Sequence, residues 1–376
     1  MIARLVNTGG KNIRTMFVRV VVLVCALSGG LIGNVFADQK GQMVCTMSNA
    51  PSGNAVLAFE QRGDTLVPAG SFPTQGVGSG GGLGNQGAIV LSDDGETLLA
   101  VNAGSDEVSV FRVHANGLTL ADKVSSGGVR PISIAVHEDW VYVLNAGGTG
   151  NITGFTLTSR DTLKPIPGST RPLSGPATAP AQVEFNPEGD TLVMTEKATQ
   201  IIDTYTVDED GVAAGPVSQP SSGVTPFGFS FDKRGVLIVS EAFGGTANAS
   251  AVSSYTLKNG VLSVRSGSIP DFQSAACWIV VTKNGKFAYT SNTGSNNISS
   301  YRVGRKGTVT LLVAVAASTG AAPIDMALNQ NSKFLYVLNA TARTIDVFRV
   351  DRSSGELTHL TSISGLPAGA NGLVAR

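Results

Sequence analysis

The chain has 376 residues, with 27 basic and 27 acidic side chains, 46 glycines and only 14% charged residues. Zero net charge leaves no basic excess to meet a phosphate backbone, which argues against nucleic acid as a partner. The composition suits many tight turns between buried strands, and only 2 Trp argue against a WD-type blade.

The first segment reads as a targeting signal. Arg4, Lys11, Arg14 and Arg19 precede the apolar run VVVLVCALSGGLIG, and Val35 and Ala37 take the small-residue positions of a cleavage site. Cleavage after Ala37 and export to the periplasm or the exterior are expected; an uncleaved anchor is the alternative. No later apolar run approaches the roughly 18 residues of a spanning helix, so no membrane contact is expected after cleavage. The mature chain keeps Cys45 and Cys277. They fall in non-adjacent repeats and read as buried thiols rather than a bridge. Sequons at Asn151, Asn248, Asn297 and Asn339 matter only in a host that glycosylates exported proteins.

From Met43 onward one unit recurs seven times. A short apolar run is followed by a polar turn such as SDDG or NPEG. A second run such as LLAVNAG or LYVLNAT follows, then a third with period-2 alternation such as VSVFRV or IDVFRV, and a fourth such as LTLADKV. The third strand carries one aromatic per repeat: Phe59, Phe111, Phe155, Tyr205, Tyr255, Tyr301 and Phe348. The second strands are read to end at Asn49, Asn102, Asn145, Thr195, Ser240, Asn292 and Asn339. Two position sets sharing one period predict four antiparallel strands per unit, each small sheet buried on both faces against its neighbours. Radial stacking of such sheets gives an all-β, seven-bladed propeller. The first unit lacks its innermost strand, and NGLVAR, Asn371 to Arg376, resembles the start of the next repeat. The C-terminus is therefore expected to complete blade 1 and close the ring, making 38–376 one domain. GVGSGGGLGNQG, Gly76 to Gly87, lacks the Lys and helix of a phosphate loop and reads as a long flexible loop between blades.

The stretches LSDDGETLLAVNAGSDEVSVFRV, VEFNPEGDTLVMTEKATQIIDTYTV and NSKFLYVLNATARTIDVFRV resemble the seven-bladed lactonase family. That family includes propeller-type 6-phosphogluconolactonases and carboxymuconate-lactonising enzymes. The resemblance implies a site at one mouth of the central channel, where arginines hold an anionic substrate while a Glu and a His handle protons. Glu196 of VMTE falls on the family glutamate. The family's arginine and histidine in GPRH fall on Ala181 and Gln182, its HPHS histidine on Gly87 or Ile132, and its later arginine on Thr293.

The strand directions place Gln86, Ser133, Gln182, Glu196, Lys197, Glu241, Trp278, Asp325 and Asn371 at this mouth. Glu196 and Glu241, on adjacent blades, are candidates for an acid/base pair. Alternatively they bind a hard divalent cation joined by Asp325, or they are solvated or paired with Lys197 or a backbone amide. Ser133, Gln182, Lys197, Trp278 and Asp325 are candidate ligand contacts, with Trp278 either walling a ring-shaped ligand or plugging the channel. His114 and His137 fall in turns on the opposite face and His359 on an outer strand. They do not converge with Glu196, which removes a three-His metal site and a Ser-His-Asp triad. Two functions remain open at this level. One is an exported lactone hydrolase or lactonising enzyme. The other is a non-enzymatic propeller that binds a small-molecule ligand or a protein partner. A monomer with no cofactor beyond that cation is expected.

Overall fold

The computed structural model describes residues 42–376; the targeting segment and its cleavage site lie outside them. Seven antiparallel sheets each run outward from an inner strand. The inner strands, in ring order from blade 1 to blade 7, are Asn371–Ala375, Ile89–Leu91, Pro131–His137, Pro180–Phe185, Pro226–Phe231, Ala276–Val281 and Pro323–Leu328. Blade 1 is completed by the C-terminus as expected: Val44 pairs with Ala375 and Cys45 with Val374, and the Arg376 N–H donates to Met43 O at 2.8 Å.

Each third-strand aromatic lies opposite a second-strand aliphatic, for example Leu98 with Phe111, Leu192 with Tyr205, Leu237 with Tyr255 and Leu335 with Phe348. All seven aromatics are buried. Burying such a side chain is worth about 1.5–3 kcal/mol over leaving it exposed, so every blade carries its own anchor between its neighbours. Blade 3 departs from four continuous strands. Its outer strand is divided into Leu163–Pro165 and Arg171–Pro172, both paired with Asn151–Leu157. Between the two pieces the Ser169 hydroxyl takes the place of a ladder partner, accepting from Gly154 N at 3.0 Å and donating to Gly154 O at 3.1 Å.

Inner-strand side chains alternate, as strand geometry requires. Ile89, Val183, Phe229 and Ile279 are buried toward neighbouring strands, whereas Val90, Glu184, Ser230 and Val280 keep a partly exposed face to the central channel. Cys45 and Cys277 are free and buried, as expected. Burial pushes both thiols up, Cys277 to about 12, so neither supplies a thiolate.

Candidate functional site

The aromatic anchors fix a common frame. Counting from each paired aliphatic, the second strands of blades 4 and 5 end at Glu196 and Glu241, one residue beyond Thr195 and Ser240. The two glutamates therefore occupy the position held by Asn102, Asn145, Asn292 and Asn339 in other blades. This position forms a belt with the third-strand residue two before each aromatic, and together they pin the linker arriving from the preceding blade. Asn102 Nδ2 donates to Ser109 Oγ at 2.8 Å, and Ser109 Oγ donates to Thr74 O at 2.7 Å. Asn145 Nδ2 donates to Ser126 O at 3.2 Å. In blade 7, Asn339 Nδ2 and the Gly320 N–H both donate to Asp346 Oδ2, at 2.8 and 2.9 Å.

Blades 4 and 5 reverse this polarity. Glu196 accepts from the Ser174 N–H at 3.0 Å, the Ser174 hydroxyl at 2.5 Å and the Thr199 hydroxyl at 2.5 Å. Glu241 accepts from the Ser253 hydroxyl, from the Ser268 hydroxyl at 2.7 Å, and from the Gly223 N–H. Where a linker presents a carbonyl the belt uses an amide donor. Where it presents an N–H or O–H, a carboxylate is the complement. Both glutamates are 0% exposed, and they do not converge: each is bound by its own hydroxyls and linker. The nearest acidic neighbour of Glu196 is Asp203, in the belt position of its own blade. Asp203 Oδ1 accepts from the Ser218 hydroxyl at 2.6 Å, while Oδ2 receives no donor and lies within hydrogen-bond reach of Glu196. Burial, then the charge of Glu196, raises Asp203 to about 7.

The mouth where the inner strands start is closed by the chain itself. Leu83–Gln86, expected as part of a flexible loop, crosses it. Asn85 Nδ2 donates to Ile132 O of blade 3, and Trp278 Nε1 of blade 6 donates to Asn85 O at 2.6 Å. The Gln86 N–H donates to Ala181 O at 3.1 Å, and its side chain takes both backbone groups of Ile279, giving to O at 3.0 Å and accepting from N at 3.3 Å. Lys197 Nζ donates to Gly84 O and to Pro180 O at 2.9 Å, 4.7 Å from the centroid of the Phe227 ring, which lies 5.0 Å from the Trp278 ring. Burial lowers Lys197 to about 8. Gly228 faces this crossing: a Cβ there would stand 2.1 Å from Gln86 Oε1. Gln86 itself sits two residues before Ala88, the residue actually level with Ser133, because Val101 bonds Ala88 while Leu144 pairs with Ser133. Ser133 is buried and accepts from the Val183 N–H at 3.1 Å.

The channel opens at the other face, where inner strands turn into second strands. A cavity of about 370 Å³ is lined by residues of all seven blades, among them Val90, Gln182, Glu184, Ser230, Asp325 and Lys283. A groove of about 510 Å³ continues from it past Asp93, His137, Glu184 and Lys283. Gln182 and Asp325 thus belong to the channel, but to its interior reached from this end. Asp325 is 3% exposed and accepts from the Met326 N–H at 2.8 Å, and burial raises it far above the usual carboxylate range. Glu184 was missed by motif reasoning. Its signal is positional: it lies two residues beyond Gln182 on a channel-facing strand, where the equivalent positions are Val90, Ala135, Ser230, Val280, Ala327 and Val374. Gln182 donates to Glu184 Oε2 at 2.8 Å, and burial raises Glu184 to about 8, with Lys283 opposing the shift.

His137 packs on Phe185 with ring centroids 5.8 Å apart, and His359 on Phe348 at 5.2 Å. Among the described residues no group of three or more His, Cys, Asp or Glu side chains could hold a metal ion, so Glu196, Glu241 and Asp325 do not form the cation site considered from sequence.

Comparison with known proteins gives a consistent picture. The family model described as "Lactonase, 7-bladed beta-propeller" matches residues 53–162 and 256–370. A 6-phosphogluconolactonase of Bacillus subtilis is 22% identical over 304 residues, 76% of this chain and 86% of the relative. An uncharacterised protein of Lactococcus lactis is 22% identical over 336 residues, 85% of this chain and 81% of the relative. Among solved structures, a putative 6-phosphogluconolactonase from Bacteroides fragilis superposes with a TM-score of 0.69 at 19% identity, covering 90% of this chain and 99% of that one. A periplasmic gluconolactonase of Pseudomonas aeruginosa gives 0.69 at 16% identity, covering 88% and 98%. At such identities the superpositions speak for the fold alone.

Proposed function

Because this chain belongs to the seven-bladed β-propeller lactonase family, we propose that it uses the family's disc and channel to bind a small molecule without turning it over at the plugged mouth. The ligand enters from the opposite face, where the inner strands turn into the second strands. The observation that carries this reading is the Leu83–Gln86 crossing, held from blades 3, 4 and 6 over the mouth where a lactonase-type site would be sought. In this reading Glu196 and Glu241 hold linkers, and Ser133, Lys197 and Trp278 hold the plug and its surroundings. Only Gln182 and Asp325 of the sequence candidates remain for a ligand. Relatives named 6-phosphogluconolactonase would act on a dianionic ester, and such a group calls for fixed cations. Lys283 is the lysine that lines the open cavity, and the family's arginine positions are Ala181 and Thr293 here. Export, suggested by the first 37 residues, is part of the same proposal.

The test is acid release by the full chain on a panel of neutral and anionic lactones, beside Glu196→Gln. Equal background in both is the expected result. Turnover by the wild type that disappears in the variant would overturn the binding reading and restore a hydrolase centred on Glu196.

A further inference from the structure

The open end of the channel carries an inference that rests on the binding reading and names what is bound. Gln182 has its orientation dictated by the backbone. The Phe229 N–H must meet its Oε1, at 2.7 Å, so Nε2 faces Phe229 O at 2.9 Å and Glu184 Oε2 at 2.8 Å. Glu184 Oε2 is therefore an acceptor, and a proton on this carboxyl resides on Oε1. Oε1 has no protein partner among the described residues and belongs to a side chain that lines the cavity. Its level of the channel is otherwise Val90, Ala135, Ser230, Val280, Ala327 and Val374, all but one of them apolar, which solvate a negative charge poorly. A carboxylic acid kept neutral in an apolar site is a hydrogen-bond donor.

We propose that Glu184 is the specificity-determining group of this channel, donating from Oε1 to the carbonyl oxygen of a neutral small molecule. The cavity of about 370 Å³ lies in the range of small-molecule sites. Val90, Leu328 and Val374 supply an apolar wall, and Asp325 and Gln86 bound the inner end. The charged and titratable groups facing Glu184 are Lys283 and Asp93 at the rim, Asp325 across the channel, and His137, Asp232 and Lys233 along the groove. Asp232 is already paired with Arg234 at 2.7 Å. Burial, opposed by Lys283, holds Glu184 near about 8, so the donor is present at neutral pH and lost as the pH rises through that value. A cationic ligand would show the opposite dependence, because it needs the ionised form.

The test uses coumarin, a neutral lactone of suitable size, and calorimetric titration of the full chain at about pH 7 and about pH 9.5. Wild-type affinity is expected to fall about tenfold or more between the two. Glu184→Gln, which keeps an N–H donor, should bind at both pH values with little change. Glu184→Ala should lose binding at both, and His137→Gln should leave the pH dependence in place. Val90→Trp and Ser230→Trp, which fill the channel, should abolish binding. No binding by the wild type at neutral pH, tighter binding at the higher pH, or wild-type affinity in Glu184→Ala overturns the role of Glu184. Binding that survives both channel-filling variants places the ligand elsewhere and overturns the channel reading itself.

Discussion

The paired carboxyls of blade 4 give the sharpest quantitative test, through Asp203→Asn. Asp203 is 0% exposed and raised to about 7 by burial and by Glu196 beside it, against an ordinary value of about 3.9. A carboxyl raised in the folded state makes a contribution that is fully present below the unfolded value and lost as the pH climbs to the folded one. The whole interval, about 3 pH units at about 1.4 kcal/mol each, sets a ceiling of about 4 kcal/mol. Of this, about 2.6 kcal/mol falls between pH 5 and pH 8. Asn at this position keeps the oxygen that accepts from Ser218 and puts a permanent N–H in place of the Asp203 proton, toward Glu196. Any fixed cost of the amide, such as an orphaned second N–H at about 1–3 kcal/mol, is the same at both pH values. The comparison is therefore a difference of differences. Unfolding free energies of wild type and variant, from urea titrations at about pH 5 and about pH 8, should show the variant gaining about 2–3 kcal/mol on the wild type across that step. Titrations elsewhere cancel because both proteins share them. Parallel stability curves would refute a raised Asp203 at this pair.

Three further outcomes are expected. Gly228→Ala drives a Cβ to within 2.1 Å of Gln86 Oε1. It should displace the plug, cost about 1–3 kcal/mol in the range of overpacking, and speed proteolytic cleavage within 76–87 while distant loops are cut as before. Removing 371–376 deletes the inner strand of blade 1 and exposes the edge of Met43–Met47; loss of cooperative unfolding by calorimetry is expected, since an open ring leaves two unpaired blade surfaces. Glu241→Gln replaces an acceptor of two hydroxyls and an N–H and should destabilise by about 1–3 kcal/mol, with ligand binding unchanged by titration.

The fold was legible because its determinants are local and repeated. Seven aromatics on alternating strands, seven turn-separated runs and an unpaired first repeat matched by a C-terminal run are all statements about spacing, and spacing survives into the sheets. The pairing of Asn371–Ala375 with Met43–Met47 is the long-range contact this counting could supply. The site was not legible to the same degree. Second-strand ends were read as Thr195 and Ser240 because the glutamates did not look like the asparagines they replace. Only the linkers, with Ser174 and Gly223 offering donors where Thr74 and Ser126 offer carbonyls, explain why a carboxylate belongs there.

Sequence alone determined the blade count, the ring closure, the burial of both cysteines and the face on which each turn lies, since those follow from strand period and direction. Tertiary structure decided which end of the channel is open. The Gly76–Gly87 run carries no periodicity to betray where it goes; blades 1 and 2 hold its start, and the path of Leu83–Gln86 is set by partners from blades 3, 4 and 6 that only the closed ring brings together. The same convergence turned Glu196 into a fastening between blades and left Glu184, unremarkable in its strand, as a carboxyl that faces the cavity.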